Sequence, residues 1–350
     1  LSYGQRSGDD VSNYCQTDLY NPGGFVFETN QVQKDISSNK ELEFQADYSR
    51  KLSEMFRLEA GLKSEWSVRN SNDMIYDNTQ AVSSLQPSYQ NDFDYDEKIH
   101  AVYGTFTGKL NTHFGYQLGL RGELSDITFS SFNRTTNTSI DKDKNYFNLF
   151  PSIFLTYSFE QGSDIQLNYS RRINRPRGRS LNPFVNISDS TNIRSGNPDL
   201  DPFFGNSFEL NYIKTWDNHM LSASLYHRID NNIIQEIRYI KDNVMYQSPV
   251  NITDNISSGL ELVSKNSFSN KLETTATFNF YRTALKGFTY DNYYYEGNEG
   301  LSWNARLNST IILSNSMTAQ VSGFITSPRI VAQGEMSDSY AIDAGIKKTF

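Results

Sequence analysis

Phe56-Arg57-Leu58-Glu59-Ala60-Gly61-Leu62-Lys63-Ser64-Glu65-Trp66-Ser67-Val68-Arg69 sets Phe56, Leu58, Ala60, Leu62, Trp66 and Val68 against charged or small residues at the odd positions. Period two is the mark of an extended strand with one apolar and one polar face, whereas a helix would smear the charges around its circumference. Strands of soluble proteins average about five or six residues. A stretch more than twice as long asks for an apolar surrounding broader than one packed sheet offers.

The same alternation recurs along the chain. Ile165, Leu167 and Tyr169 alternate with Gln166, Asn168 and Ser170, and Leu301, Trp303, Ala305 and Leu307 with Ser302, Asn304, Arg306 and Asn308. Phe208, Leu210 and Tyr212 open another such stretch, and Leu272, Ala276, Phe278 and Phe280 another. Short polar turns centre near Lys51, Leu110, Gln161, Asp217, Ser269 and Asn315, 46 to 59 residues apart. Between them lie long connections at 70–98, 126–144, 174–206, 230–255, 283–300 and 327–338. Strand, short turn, strand, long loop places every tight connection at one end of a sheet, as transmembrane barrels do.

The expected fold is therefore all-β, an antiparallel transmembrane β-barrel, partial, with about 12–14 strands in one domain over 1–350. Six hairpins supply twelve strands and residues 339–350 a thirteenth. Residues 1–40 read as mostly irregular loop, with room for one extra strand around 25–33 after the turn Asn21-Pro22-Gly23-Gly24. An odd count leaves an open edge, so these residues alone are expected not to close a stable pore. A soluble β-sandwich shares the periodicity but not the strand length. A propeller would need four short strands per repeat and a blade motif, and the Trp216-Asp217 pair stands alone.

Composition agrees. Mean hydropathy is −0.60, and no run of roughly 18 apolar residues exists to make a spanning helix. Barrel strands need only about 9–11 residues with every second one apolar, so a barrel escapes that test. Aromatics make up 14% of the chain, with 22 Tyr and 23 Phe, enough for girdles at two membrane interfaces. A net charge of −8 argues against a nucleic-acid partner. Cys15 is the only cysteine and makes no internal disulfide. The start of the chain, Leu1-Ser2-Tyr3-Gly4, carries no basic-then-apolar export signal, which is expected either to have been removed or to lie on a longer chain.

One segment departs from the strand metre. Arg171-Arg172-Ile173-Asn174-Arg175-Pro176-Arg177-Gly178-Arg179 is followed by Leu181-Asn182-Pro183-Phe184, then by Ile193-Arg194-Ser195-Gly196-Asn197-Pro198-Asp199-Leu200-Asp201-Pro202. Five arginines and a proline in nine residues cannot continue a hydrogen-bonded ladder, and Gly-Asn-Pro supplies turn geometry. This is a folded loop in a long connection.

The run from Tyr169 to Pro176, Leu181 to Phe184, Gly196 to Pro202 and Glu209 to Tyr212 resembles the outer-membrane β-barrel family related to TonB-dependent receptors of Bacteroidetes-type bacteria. Phe203 stands where that family usually has glutamate. Weaker matches are Asp47-Tyr48 with Leu58-Glu59-Ala60-Gly61, Phe93-Asp94-Tyr95-Asp96-Glu97 before Ala101 and Tyr103, and Gly119-Leu120-Arg121-Gly122-Glu123. The resemblance implies the later part of a receptor barrel in a bacterial outer membrane, in contact with lipid and importing an unidentified small molecule, glycan or peptide. It further implies the TonB complex as a partner, reached through an N-terminal plug region that is not recognisable in this chain, and allows a surface lipoprotein as another. The alternative, from another class, is a non-transporting surface protein that binds or adheres through its loops. A barrel enzyme is the third.

Catalytic and metal-binding signals are weak. Asp92, Asp94 and Asp96 have the spacing of a calcium loop, but Glu97 and Tyr103 occupy its glycine and glutamate positions, so the reading is a solvated loop entering a strand. His219 and His227 would lie roughly 27 Å apart along one strand. No nucleophile, base and acid group together, and no cofactor is expected. Arg171, Arg172, Arg175, Arg177 and Arg179, with Pro176 and Arg194, admit three roles: pairing with lumen carboxylates, contact with an anionic ligand, or attraction to surface sugars. Structural pairing would put each within about 4 Å of a carboxylate.

Overall fold

The alternating stretches become strands that pair with the next stretches along the chain. A computed structural model describes residues 2–18, 27–77, 89–160, 162–186, 192–290, 293–314 and 316–349. Fourteen strands form one antiparallel sheet in strict sequence order. These are β1 (Ser2–Asp18), β2 (Phe27–Lys51), β3 (Phe56–Asp77), β4 (Tyr89–Lys109), β5 (Phe114–Asn133), β6 (Thr138–Phe159) and β7 (Ser163–Asn174). The second half comprises β8 (Phe203–Trp216), β9 (His219–Asn231), β10 (Asn255–Ser269), β11 (Leu272–Leu285), β12 (Asn298–Ser314), β13 (Met317–Thr326) and β14 (Ser339–Lys348). Among the described residues β1 pairs only with β2 and β14 only with β13, so the sheet has two free edges.

Residues 52–55, 110–113, 217–218 and 270–271 make the short turns, all at one end. Asp217 takes φ 45°, which a two-residue hairpin with matching twist requires and Asp tolerates. The expected turn centres Gln161 and Asn315, the turn at 21–24 and Phe350 lie outside the described residues.

Register explains why the apolar faces agree from strand to strand. Leu155, Leu167, Leu210, Leu225, Leu260, Phe280 and Trp303 stand directly opposite one another across β6 to β12. A slip of one residue would turn a whole strand's apolar set inward. Leu58, Leu62, Leu167, Leu210, Leu225, Leu301 and Leu307 are exposed, so no second sheet covers this face. Among the described residues no helix is long and apolar enough to cross a membrane; the outward face of the sheet is what meets lipid. Near the turn end an outward aromatic band runs through Phe56–Phe106, Phe106–Tyr116, Tyr157–Phe159 and His219–Phe268, with ring centroids 4.9–6.0 Å apart.

Three expectations are corrected. Residues 1–40 are not mostly irregular: β1 runs through Ser2–Asp18 and pairs with β2 from Ser2↔Glu43 to Asp18↔Phe27. That makes the count even, and 27–33 is the outer end of β2 rather than a strand of its own. The connections at 70–98 and 126–144 are mostly strand, with β5 and β6 joined by residues 134–137 alone. Asp92, Asp94 and Asp96 accordingly lie within β4, not in a loop; Asn72 donates to Asp92, Asn70 to Asp94, and Arg134 pairs with Asp92 at 2.5 Å. The reason is common to all. Outward positions change from Trp66 and Val68 to Asn70 and Asn72, and from Leu124 to Asp126, where the wall leaves the hydrocarbon. Beyond that level water contacts the outward face, the apolar period disappears, and the backbone ladder continues without it.

The long connections hold small structures. Ile234–Lys241 and Val244–Asn251 form a hairpin whose second strand pairs in parallel with Asn192–Ser195, itself paired with Val185–Asn186. Ile237, Val250, Phe288 and Ala332 bury together, joining the loops that follow β9, β11 and β13.

Candidate functional site at the loop end

Beyond β7 the chain turns into the barrel. Pro176 is buried and offers no amide hydrogen to a ladder, and a single helical turn, Gly178–Leu181, follows. Residues 175–186 and 192–202 then lie along the inward face of the wall. Leu181 and Leu200, 1% and 0% exposed, pack on Phe93, Tyr95, Ile127 and Phe129, the inward residues of β4 and β5. Burying each leucine is worth about 1.5–3 kcal/mol.

Arg175 is the polar anchor. Its guanidinium donates to Glu123 Oε2 at 2.6 Å, to Ser125 Oγ at 2.8 Å and to Tyr146 Oη at 3.1 Å. Glu123 also pairs with Arg121 at 2.5 Å. Lys142 and Lys144 of β6 reach Asp199 and Asp201 at 2.7 and 2.9 Å, and Lys144 donates to the Leu200 carbonyl at 2.5 Å.

The remaining motif residues hold the loop's own shape. Asn182 accepts from the Phe184 amide at 3.0 Å and from Asn91 Nδ2 at 3.2 Å, and donates to Asp73 at 3.1 Å. Gly196 and Asn197 return over this turn, their amides donating to Asn182 O at 3.0 Å and Ser180 O at 2.7 Å. A Cβ on Gly196 would sit 2.2 Å from Asn182 O, so only glycine permits that approach. Asn197 caps the Asp199 amide at 2.9 Å and donates to Pro249 O at 3.1 Å. Asn251 exchanges two hydrogen bonds with Asp201, at 2.8 and 2.9 Å, tying this loop to the hairpin after β9. Phe184 packs edge-on against Tyr89 at 5.1 Å, Pro183 and Pro198 are half-buried, and Pro202 immediately precedes β8.

Of the five clustered arginines, one meets the expectation of a nearby carboxylate. Arg171 and Arg172 close β7, with Arg171 over the Phe204 ring at 4.8 Å; Arg172, Arg177 and Arg179 are exposed and have no ion pair among the described residues. A motif of like charges is thus divided by geometry into one buried pair and several free cations. Glu123 was the partner that sequence reasoning missed; its odd, inward position in β5 was the available signal.

Loop and wall enclose a cavity of about 630 Å³. Asp35, Asp73 and Arg69 line it from β2 and β3; Arg179, Asn182 and Arg194 from the inward loop; Glu236 and Gln247 from the hairpin after β9.

The model of the outer membrane protein beta-barrel family matches residues 1–350. Among proteins of curated function no sequence match emerges. The siderophore receptor PiuA from Acinetobacter baumannii has a TM-score of 0.64 at 12% identity, covering 99% of this chain and 54% of that one. The ferric yersiniabactin uptake receptor FyuA from Yersinia pestis gives 0.59 at 13% identity, covering 98% and 50%. The ferric citrate transporter FecA gives 0.62 at 12% identity, covering 99% and 51%. The chain spans about half the length of these structures, and at such identity the likeness is one of fold.

Proposed function

The chain belongs to the outer membrane protein beta-barrel family and lies in the outer membrane, and from that premise we propose that it forms wall and outer loops of an energised import receptor. The observation that carries this reading is the inward loop. A passive pore keeps its lumen open, whereas residues 175–186 and 192–202 are pinned across the inner face of β4 to β6 by Arg175, Leu181 and Leu200. What they leave is a walled polar cavity at the loop end, suited to holding a solute. Release inward then requires rearrangement and an energy source. On this reading the TonB complex, acting through an N-terminal plug region, is the partner that supplies it, with a surface lipoprotein as a further partner. The role is non-catalytic, and the ligand is a small molecule, glycan or peptide.

Binding or adhesion at the surface without transport is favoured by one feature, the high exposure of Ile240 and Tyr294 on the outer loops. The two readings separate in cells carrying the full-length gene. Depletion of solutes from a defined mixture, followed by mass spectrometry with and without an uncoupler, should show uncoupler-sensitive uptake. Steady ohmic conductance from the purified protein, or surface binding without depletion, would refute import.

A further inference from the structure

We propose that the cavity at the loop end takes a short peptide with free termini. The proposal rests on the import-receptor reading for its purpose and on the cavity's chemistry for its content. Three arginines line it, Arg69, Arg179 and Arg194, and three carboxylates, Asp35, Asp73 and Glu236. Among the described residues none of the three guanidinium groups is in an ion pair, which leaves them available to a ligand carboxylate. Asp35 and Asp73 are direct cross-strand partners on β2 and β3, so two carboxylates stand side by side where an ammonium group would be seated.

Polar groups between the charges point the same way. Gln247 is 5% exposed; its Nε2 donates to Glu236, while its buried Oε1 has no hydrogen-bond partner among the described residues. The same holds for the buried Gln33 Oε1, and both glutamines line the cavity. A buried acceptor without a donor is destabilising, and a ligand N–H would remove that cost. Arg194 is the register partner of Gln247, so a guanidinium and an orphan amide oxygen are presented together.

The alternatives fit less of this lining. A polyanion would satisfy the arginines and face three carboxylates. A neutral glycan would use the amide oxygens and bring no charge to meet the three arginines. A peptide brings an ammonium group, a carboxylate and backbone N–H groups in one molecule, and about 630 Å³ is within the usual range for small-ligand sites.

Calorimetry on the full-length protein in detergent tests this with four probes: an equimolar pool of unlabelled tripeptides, the same pool N-acetylated and C-amidated, citrate, and maltotriose. The free pool should bind at least about tenfold tighter than the blocked pool, the loss expected when charged contacts are removed. Arg179 and Arg194 are exposed, so the double variant Arg179→Gln/Arg194→Gln should fold normally, weaken the free pool about tenfold or more, and leave the blocked pool unchanged. Equal affinity for free and blocked pools, or tighter binding of citrate or maltotriose, would overturn the peptide assignment. Peptide binding without energised uptake would retire import and keep the site. Energised uptake of other solutes, indifferent to the arginine pair, would do the reverse.

Discussion

Glu123→Gln should free the inward loop more than Arg175→Gln does, although both remove the same ion pair. With Glu123 replaced by Gln, Arg175 loses its charged hydrogen-bond acceptor and keeps bonds to the uncharged Ser125 Oγ and Tyr146 Oη. Breaking a fully buried pair costs about 3–5 kcal/mol; the Arg175 side chain retains 17% exposure, so about 2–3 kcal/mol is expected. With Arg175 removed, Glu123 still has Arg121 at 2.5 Å, and the cost falls to about 1 kcal/mol, a lost hydrogen bond to a charged group partly replaced. Native-state hydrogen exchange at the Gly196 and Asn197 amides reads the opening directly, because both donate across the loop's closing turn. At about 1.4 kcal/mol per tenfold, Glu123→Gln should speed exchange roughly 30- to 150-fold and Arg175→Gln roughly fivefold. The double variant should cost less than the sum, since no charge is then stranded. Equal effects of the two single variants, additivity in the double, or unchanged exchange would show that this pair does not hold the loop.

Gly196→Ala should expose 175–202 to protease, because the new Cβ meets Asn182 O at 2.2 Å, whereas Gly345→Ala in β14, with open space around it, should be silent. Leu210→Arg, in the lipid-facing row, should lower the folding free energy in liposomes by about 2–4 kcal/mol, measured by urea titration, while the neighbouring inward change Asn211→Ser should cost far less. The Lys286 ammonium at 2.7 Å and the Asn231 amide hold the Asp254 carboxyl below its ordinary value, so its contribution is present above the unfolded carboxylate pKa and lost as pH falls through the lowered one. Exchange at the Lys286 amide, which donates to Asp254 O, should therefore accelerate on acidification below that range; a flat profile would remove the role.

Strand identity was legible wherever lipid imposes a period on the outward face. The stretch at 56–69 declared its two faces, and the turns at 52–55, 110–113, 217–218 and 270–271 stand where the polar breaks predicted them. Legibility ended with the hydrocarbon. Above Val68 and Leu124 the outward side chains are mostly polar, so β3 to β6 continued unseen, and β1 with its polar composition passed for loop. Ladder hydrogen bonds there are made to a neighbouring strand, and no local pattern records a neighbour.

The loop motif divides in the same way. Its composition by itself determined that the chain leaves the ladder near Pro176, because proline lacks the ladder donor and five like charges cannot share a strand. Where the loop goes was decided only by tertiary structure. Arg175 finds Glu123, and Leu181 and Leu200 find Phe93 and Phe129, across tens of residues of chain. Those pairings depend on which inward faces the sheet's register brings beneath the loop. Register also set Asp35 beside Asp73 and Gln247 beside Arg194. Local side-chain chemistry chooses strand, turn and face; the burial of a charge or a leucine depends on what lies opposite, and only the assembled wall supplies that.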